Sequence, residues 1–293
     1  MSVILDTKSQ VEKVLKYCGK GLSSNEIAYR IMVDNMRWSF SRINGFEGCK
    51  YCWFQTYIKQ RKDSQQNVFA EYGLLVHEIM EAFYRDELSI MELEDKFHEG
   101  FLKLGDFPPN KFVNLRDTYY DGGIKYFQDP DVAENYDIVA VEKEIKTNIG
   151  GYEFIGYIDL LIKHKVSGKY VILDHKSKAK FENKEELKKY TRQLYLYAKA
   201  VYEEYSEYPS QLIFNRFRKQ EVDRIKYDMK AYEEAQQWAV DVIERIKETT
   251  EFPVTDDGGE NFFGNFLCNF RQDESHIFGR NYTLDELIEE TYE

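Results

Sequence analysis

The chain has 293 residues, of which 43% are hydrophobic and 31% charged, and its formal net charge at pH 7 is −12. That length suits one large domain or two small ones, and the acidic balance argues against general coating of nucleic acid while leaving room for a local basic strip. No apolar run approaches the roughly 18–20 residues that span a bilayer, and the opening M-S-V-I-L-D-T-K lacks a basic region followed by an apolar core, so a cytoplasmic protein without a membrane partner is expected.

Residues 1–35 read as helical, with Val11, Val14, Leu15 and Cys18 on one face. The segment W-S-F-S-R-I-N-G-F-E-G-C-K-Y-C-W-F then reads as a serine-capped helix start leading into a packed aromatic turn. The four cysteines are Cys18, Cys49, Cys52 and Cys268. In a reducing compartment no disulfide framework is expected; Cys49 and Cys52 form a C-x2-C pair, a spacing that either binds metal or is incidental. Residues 66–86 carry an apolar stripe of Phe69, Tyr72, Val76, Met80 and Phe83 at helical spacing. Further helices are expected over 91–103 and 112–128, separated by the break Phe107-Pro108-Pro109-Asn110 and ended near Asp129-Pro130.

The pattern then changes to alternation. Strands are expected over 138–145, 152–163 and 170–176, the last two joined by K-V-S-G-K. A helix over 184–205 follows, then a strand pair over 212–217 and 222–227. The next helix, over 230–248, points Tyr232, Ala235, Trp238, Val242 and Ile246 inward, and the tail from 251 is irregular until T-L-D-E at Thr283 makes a capping box. The fold class is α/β, in one compact domain overall: a helical part over 1–135, an α/β core over 136–230, and C-terminal helices with an irregular tail over 231–293.

Asp159, Asp174 and Lys176 are charges embedded in apolar strand sequence. Burying unpaired charge is costly, so repeated burial points to a ligand. Asp174 and Lys176 are two residues apart and share a strand face. A tight turn centred on Ser167-Gly168 sets Asp159 opposite Lys176, bringing all three to one side. Two such aspartates suit Mg2+ or Mn2+; the carbonyl of His175 offers a further oxygen, and Lys176 suits a water or a charged phosphate. On the following helix Gln193 and Tyr197 lie one turn apart, Tyr197 within the apolar stripe and Gln193 at its border. His77 flanks the stripe of its own helix, with Gly73 and Glu81 each one turn away, and reads as a metal ligand with Glu81 behind it or as a histidine–glutamate pair. Arg216, Arg218, Lys219 and Arg224 form one basic strip and Lys59, Arg61 and Lys62 another; each is either a nucleic-acid contact or a solvated face.

Taken together, Gly73 to His77, Gly156 to Asp159, Asp174-His175-Lys176 and Gln193 to Tyr197 resemble, in order and spacing, the RecB-like branch of the PD-(D/E)XK nuclease superfamily. The resemblance covers about residues 38–200, including the opening S-F-S-R-I-N-G-F-E-G-C. It implies a restriction-endonuclease-like core, a mixed sheet flanked by helices, behind an N-terminal helical extension that contributes His77. It implies His77, Asp159 and Asp174 as metal ligands, beside the His175 carbonyl already read from the strand, with Lys176 as catalytic, Gln193 and Tyr197 on the substrate side, and Glu142 as an additional acid. The implied activity is Mg2+- or Mn2+-dependent hydrolysis of DNA, single-stranded or at a duplex end, by a stand-alone exonuclease of the phage or CRISPR-associated kind. A recombination protein would be its partner. Many relatives hold a [4Fe-4S] cluster on one cysteine before the core and three behind it; here only Cys268 lies behind, so isolated buried cysteines and no cluster are expected. Two other readings stay open: a nuclease-fold binding or scaffold subunit of a recombination or CRISPR complex, and a structure-specific endonuclease. The intact Asp159, Asp174 and Lys176 set favours an enzyme over a scaffold.

Overall fold

A computed structural model describes residues 15–62, 67–130, 135–254, 268–273 and 280–289. Val11 and Val14 of the expected first helix, and most of the tail beyond 254, lie outside the described residues. In chain order the helices are α1 (Ser24–Asp34), α2 (Phe40–Gly48), α3 (Lys50–Tyr57), α4 (Val68–Tyr84), α5 (Leu93–Phe101) and α6 (Leu115–Gln128). Then come strands β1 (Tyr136–Ile149), β2 (Tyr152–His164) and β3 (Tyr170–His175), helix α7 (Lys184–Tyr205), strands β4 (Gln211–Arg216) and β5 (Glu221–Lys226), helix α8 (Met229–Glu248), short strands β6 (Glu251–Pro253) and β7 (Asn281–Thr283), and helix α9 (Leu284–Glu289). No described helix is long and apolar enough to cross a membrane.

The chain divides into two compact units, one of Met1–Ser64 with Trp238–Glu293 and one of Gln65–Gln237, a different division from the sequence boundaries near 135 and 230. In the first unit Ser23 caps α1 through a capping box with Glu26, and Ser39 caps α2. At the other end Glu286 N–H donates to Thr283 Oγ1 and the Thr283 N–H to the Glu286 carboxylate, the box expected from T-L-D-E. The tail expected to be irregular carries an antiparallel pair, β6 with β7. Cysteines that the sequence presents as isolated come together here: Cys52 Sγ is 2.9 Å from Cys268 Sγ, and the Cys52 N–H donates to Cys49 Sγ. Cys18 is exposed. Arg61, placed by sequence in a basic strip, is paired with Asp273 at 2.6 Å.

The second unit is a five-stranded mixed sheet, order β1-β2-β3-β4-β5, flanked by helices. Only β3 and β4 are parallel, and α7 makes the crossover that a parallel pair needs. Asn183 caps α7 by accepting from the Glu186 N–H, and Glu185 and Glu186 place negative charge at its N-terminal end. Leu160 and Ile162 on β2 and Val171 and Leu173 on β3 point to one face, where they pack with Tyr72, Val76 and Met80 of α4 and with Phe97, Phe101 and Phe127. The stripe of α4 is therefore Tyr72-Val76-Met80, joined by Val68, Ile79 and Tyr84; Phe69 and Phe83 lie at its edges. Alternation sends Leu161, Ile172 and Leu212 to the other face, where α7 buries Leu194, Ala198 and Val201.

Two register features position the chemistry. The β2–β3 loop is centred one residue earlier than expected: the His164 N–H bonds the Lys169 carbonyl, and Leu160 pairs with Leu173. Continued by one position, this register sets Asp159 opposite Asp174, not opposite Lys176. The parity, and so the shared face, is as the sequence requires. The β1–β2 register shifts between Ile138 and Ala140. That bulge changes the parity of everything after it. Val141 then pairs with Leu160 and Lys143 with Ile158, which sets Glu142 opposite Asp159. Without the bulge, Val141 would occupy that place.

Candidate active site

Three acids from three neighbouring strands thus lie in a row: Glu142 on β1, Asp159 on β2 and Asp174 on β3. Strand pairing between β2 and β3 ends at Leu160 and Leu173. Where the ladder opens, the Asp159 carboxylate accepts a hydrogen bond from the His175 N–H at 2.7 Å. Asp159 therefore takes up a backbone donor that would otherwise be orphaned at a buried strand end. Glu142 holds a backbone φ of +46°, in the left-handed region that non-glycine residues seldom occupy. Strain of this kind persists only where surrounding structure imposes it, and it clusters at functional sites.

From α4, His77 reaches into this row. Its Nε2 lies 3.0 Å from the His175 carbonyl, a distance that fits Nε2–H donation. Nδ1 then faces the acids, 3.5 Å from Asp159 and 3.8 Å from Glu142. Glu81, expected behind His77, instead pairs with Arg85 at 2.6 Å. The His175 carbonyl points into the site, as sequence suggested, while its ring is buried the other way. There Asn215 Nδ2 meets His175 Nδ1 at 3.0 Å, Asn215 also donates to Tyr126 Oη, and Tyr84 stacks on the imidazole. Asn215 was missed by sequence reasoning; its signal is an amide in the apolar strand L-I-F-N-R.

Lys176 follows β3 and lies 2.8 Å from Asp174 Oδ2 and 3.1 Å from Oδ1. Its ammonium also donates to Gln193 Oε1 at 3.2 Å, and Gln193 Nε2 donates to Tyr197 Oη at 3.1 Å. The glutamine thus ties the lysine to a buried tyrosine. The Tyr197 ring in turn lies over Gly156, where any Cβ would come within 2.5 Å of Cε1. This contact explains the glycine three residues before Asp159.

The electrostatics follow from burial and crowding. Burial, and then the neighbouring Asp174 charge, push Asp159 up to about 7 against the pull of His77 and Lys176. Burial lowers His77, but Asp159, Glu142 and Asp174 outweigh it and raise the imidazole to about 9. Burial likewise opposes the charge on Lys176, and the two aspartates more than offset it, so its pKa rises and it remains an ammonium. His175, buried beside two cations, is held well below its usual value and is neutral. Tyr197 is pushed up to about 12 by burial.

The donor set fits a hard divalent cation. Single atoms of His77, Glu142 and Asp159 lie within 4.8 Å of one another. Asp174 is 3% exposed, and the Lys176 ammonium meets its carboxylate at 2.8 Å from Oδ2 and 3.1 Å from Oδ1. A carboxylate has about four lone-pair sites, so one ammonium leaves Asp174 able to accept a cation as well. Carboxylate oxygens, a carbonyl and an imidazole suit Mg2+ or Mn2+.

The basic strips expected from sequence are neutralised in part, at Arg216 and Arg61. Arg216 is buried and paired with Glu221 and Asp223, and Arg224 donates to Tyr136 Oη.

The sequence finds no match among curated proteins. Among solved structures the chain is similar to one from Eubacterium rectale described as "Putative exonuclease", with 14% identity, a TM-score of 0.48, and coverage of 78% of this chain and 86% of that one. The family model of the PD-(D/E)XK nuclease superfamily matches residues 37–271, a span that holds every residue of the site just described. With that match over most of its length, and with the acids and lysine gathered on three adjacent strands of a mixed sheet, the chain belongs to the PD-(D/E)XK nuclease superfamily.

Proposed function

We propose that the protein is a divalent-metal-dependent deoxyribonuclease of the RecB-like branch, an exonuclease acting on DNA ends in recombination or repair. The observation that carries the reading is the alignment of Glu142, Asp159 and Asp174 on adjacent strands, with Lys176 held against Asp174. Support for the branch comes from Gly73–His77 and Gln193–Tyr197, whose side chains meet the acids and the lysine respectively. His77, Glu142, Asp159, Asp174 and the His175 carbonyl would hold Mg2+ or Mn2+, which supplies charge for a phosphoryl oxygen and lowers the pKa of water.

The roles of the chain's own groups follow from their geometry. Lys176, fixed between Asp174 and Gln193, presents an ammonium to the charge that develops on the phosphate during attack by water. Without a cation, the two aspartates raise its pKa and favour the charged form, a hydrogen-bond donor and a positive charge. Gln193 positions Lys176 and is itself held by Tyr197. Asn215 keeps His175 in one orientation, so that its carbonyl stays in the site. The test is incubation with end-labelled linear and with circular DNA, in Mg2+, Mn2+ or chelator. Loss of label from linear DNA only, abolished by chelator, supports an exonuclease; nicking of circles would make it an endonuclease.

A further inference from the structure

Arg218 and Arg216 lie just past and at the end of β4, and both brace the loop that follows Lys176. Arg216 Nη1 donates to the Ala179 carbonyl at 2.6 Å, and Arg218 Nε donates to the Ser177 carbonyl at 3.0 Å. Their charges have opposite fates. Arg216 is 8% exposed and neutralised by Glu221 and Asp223. Among the described residues no carboxylate pairs with Arg218, which is only partly buried. Its guanidinium instead lies 4.1 Å over the Tyr119 ring, an arrangement that fixes a cation without cancelling its charge.

The fixing is tight on every side. A Cβ at Gly122 of α6 would meet Arg218 Cγ at 2.7 Å and its carbonyl oxygen at 2.9 Å, so the glycine lets the helix close on this residue. Tyr119 is held by its carbonyl, which accepts from Tyr72 Oη at 3.0 Å. Arg218 anchors Ser177, the residue after Lys176, and Ser177 Oγ lies 3.9 Å from the Cβ position of Gly73, one turn before His77. A rigid, uncompensated guanidinium with its terminal N–H groups still available therefore borders the candidate active site.

We propose that Arg218 binds a backbone phosphate of the DNA strand next to the one being cleaved. The proposal rests on reading the Asp159–Asp174–Lys176 site as one that cleaves DNA. A planar fork with one nitrogen already anchored suits a phosphate through its other two. On a chain of net charge −12, such a fixed positive point gives a polyanion local attraction that the overall field does not. Arg218 touches substrate away from the reacting phosphorus, so it acts on binding more than on turnover.

The test compares wild type, Arg218→Gln and Arg218→Lys. Glutamine keeps a donor for the Ser177 carbonyl and much of the packing but has no charge; lysine keeps the charge and loses the fork. Affinity for a fluorescein-labelled single-stranded oligonucleotide is measured by anisotropy over a salt series, with Ca2+ replacing Mg2+, and KM and kcat are measured separately in Mg2+. The expected result is binding weakened about tenfold in Arg218→Gln, with the slope of log affinity against log salt reduced by roughly one, as for one lost phosphate contact. KM should rise with kcat within about twofold, and Arg218→Lys should recover the salt slope. An unchanged slope with lower kcat or earlier melting would make Arg218 a brace for the Lys176 loop and overturn the proposal. If wild type itself neither binds nor cleaves DNA, the nuclease reading fails first, and this inference with it.

Discussion

The Lys176 ammonium donates to Gln193 Oε1 at 3.2 Å, so the catalytic candidate is held by a neutral amide as well as by its aspartate. Gln193→Ala removes that hold without opening the core, since Gln193 is only partly buried. Its cleavage rate should fall by roughly tenfold or more while stability changes by less than about 1 kcal/mol. Tyr197→Phe keeps the buried ring and loses one bond to Gln193, and should retain more activity than Gln193→Ala. Rates and melting temperatures of both variants decide this; an inactive Tyr197→Phe beside an active Gln193→Ala would reverse the assigned roles.

Gly156→Ala should destabilise the protein by about 1–3 kcal/mol, because the new methyl overlaps the Tyr197 ring rather than because of backbone conformation. The double variant Gly156→Ala with Tyr197→Leu should recover part of that loss, since a narrower side chain vacates the overlap. Urea midpoints of the four proteins in the cycle measure the coupling. Strict additivity would show that the two residues do not interact.

Glu142 stores backbone strain at its φ of +46°. Glycine relieves it, so Glu142→Gly should raise stability by about 1 kcal/mol while abolishing cleavage. Glu142→Gln removes the charge but keeps the strain, and separates relief of repulsion among the acids from relief of the backbone. Equal melting temperatures for the two variants would show that the conformation is unstrained.

Most of the site was legible in the sequence because its signals are local. Asp174 near the end of β3 and Lys176 just past it are two residues apart, and Gln193 and Tyr197 are one helical turn apart, so neither pair needs tertiary information. The row of acids was not legible in the same way. Glu142 reaches Asp159 only because of the bulge between Ile138 and Ala140, and a one-residue bulge leaves no periodic trace in a short strand. The register of β2 on β3 differed from expectation for a related reason: the loop between them is closed by His164 and Lys169, so its centre falls one residue earlier than the glycine suggests. Cys268 joins Cys49 and Cys52 across more than two hundred residues, a contact that no spacing rule reads. Within the basic strips, composition counts charges but does not show partners; Arg216 and Arg61 are paired with carboxylates.

In the unit formed by the two chain ends, Asp34 gathers Lys16 and Tyr17 Oη at 2.8 Å each and Lys247 at 3.4 Å. Burial pushes its pKa up, but the hydrogen bonds from Lys16 and Tyr17 and the charge of Lys247 outweigh this and hold it below the ordinary carboxylate value. A folded-state pKa below the unfolded one gives stability that is present above about pH 4 and is lost as pH falls through the folded value. Asp34→Asn should therefore cost roughly 1–2 kcal/mol at neutral pH, and the gap to wild type should narrow below about pH 4. Urea midpoints across pH test this; a gap that stays constant into acid would show that Asp34 acts by packing alone.

The buried Asp174 carboxylate, with Lys176 against it, is the proposed anchor of a metal-dependent cleavage site. The most direct test is the rate at which wild type and Asp174→Asn degrade end-labelled linear DNA in Mg2+, each with its melting temperature and each repeated with chelator. Wild type should cleave and stop on chelation. Asp174→Asn should be inactive yet still fold cooperatively, melting earlier than wild type because the Lys176 ammonium loses its carboxylate partner. An Asp174→Asn protein that is folded and cleaves at near the wild-type rate would contradict the assignment.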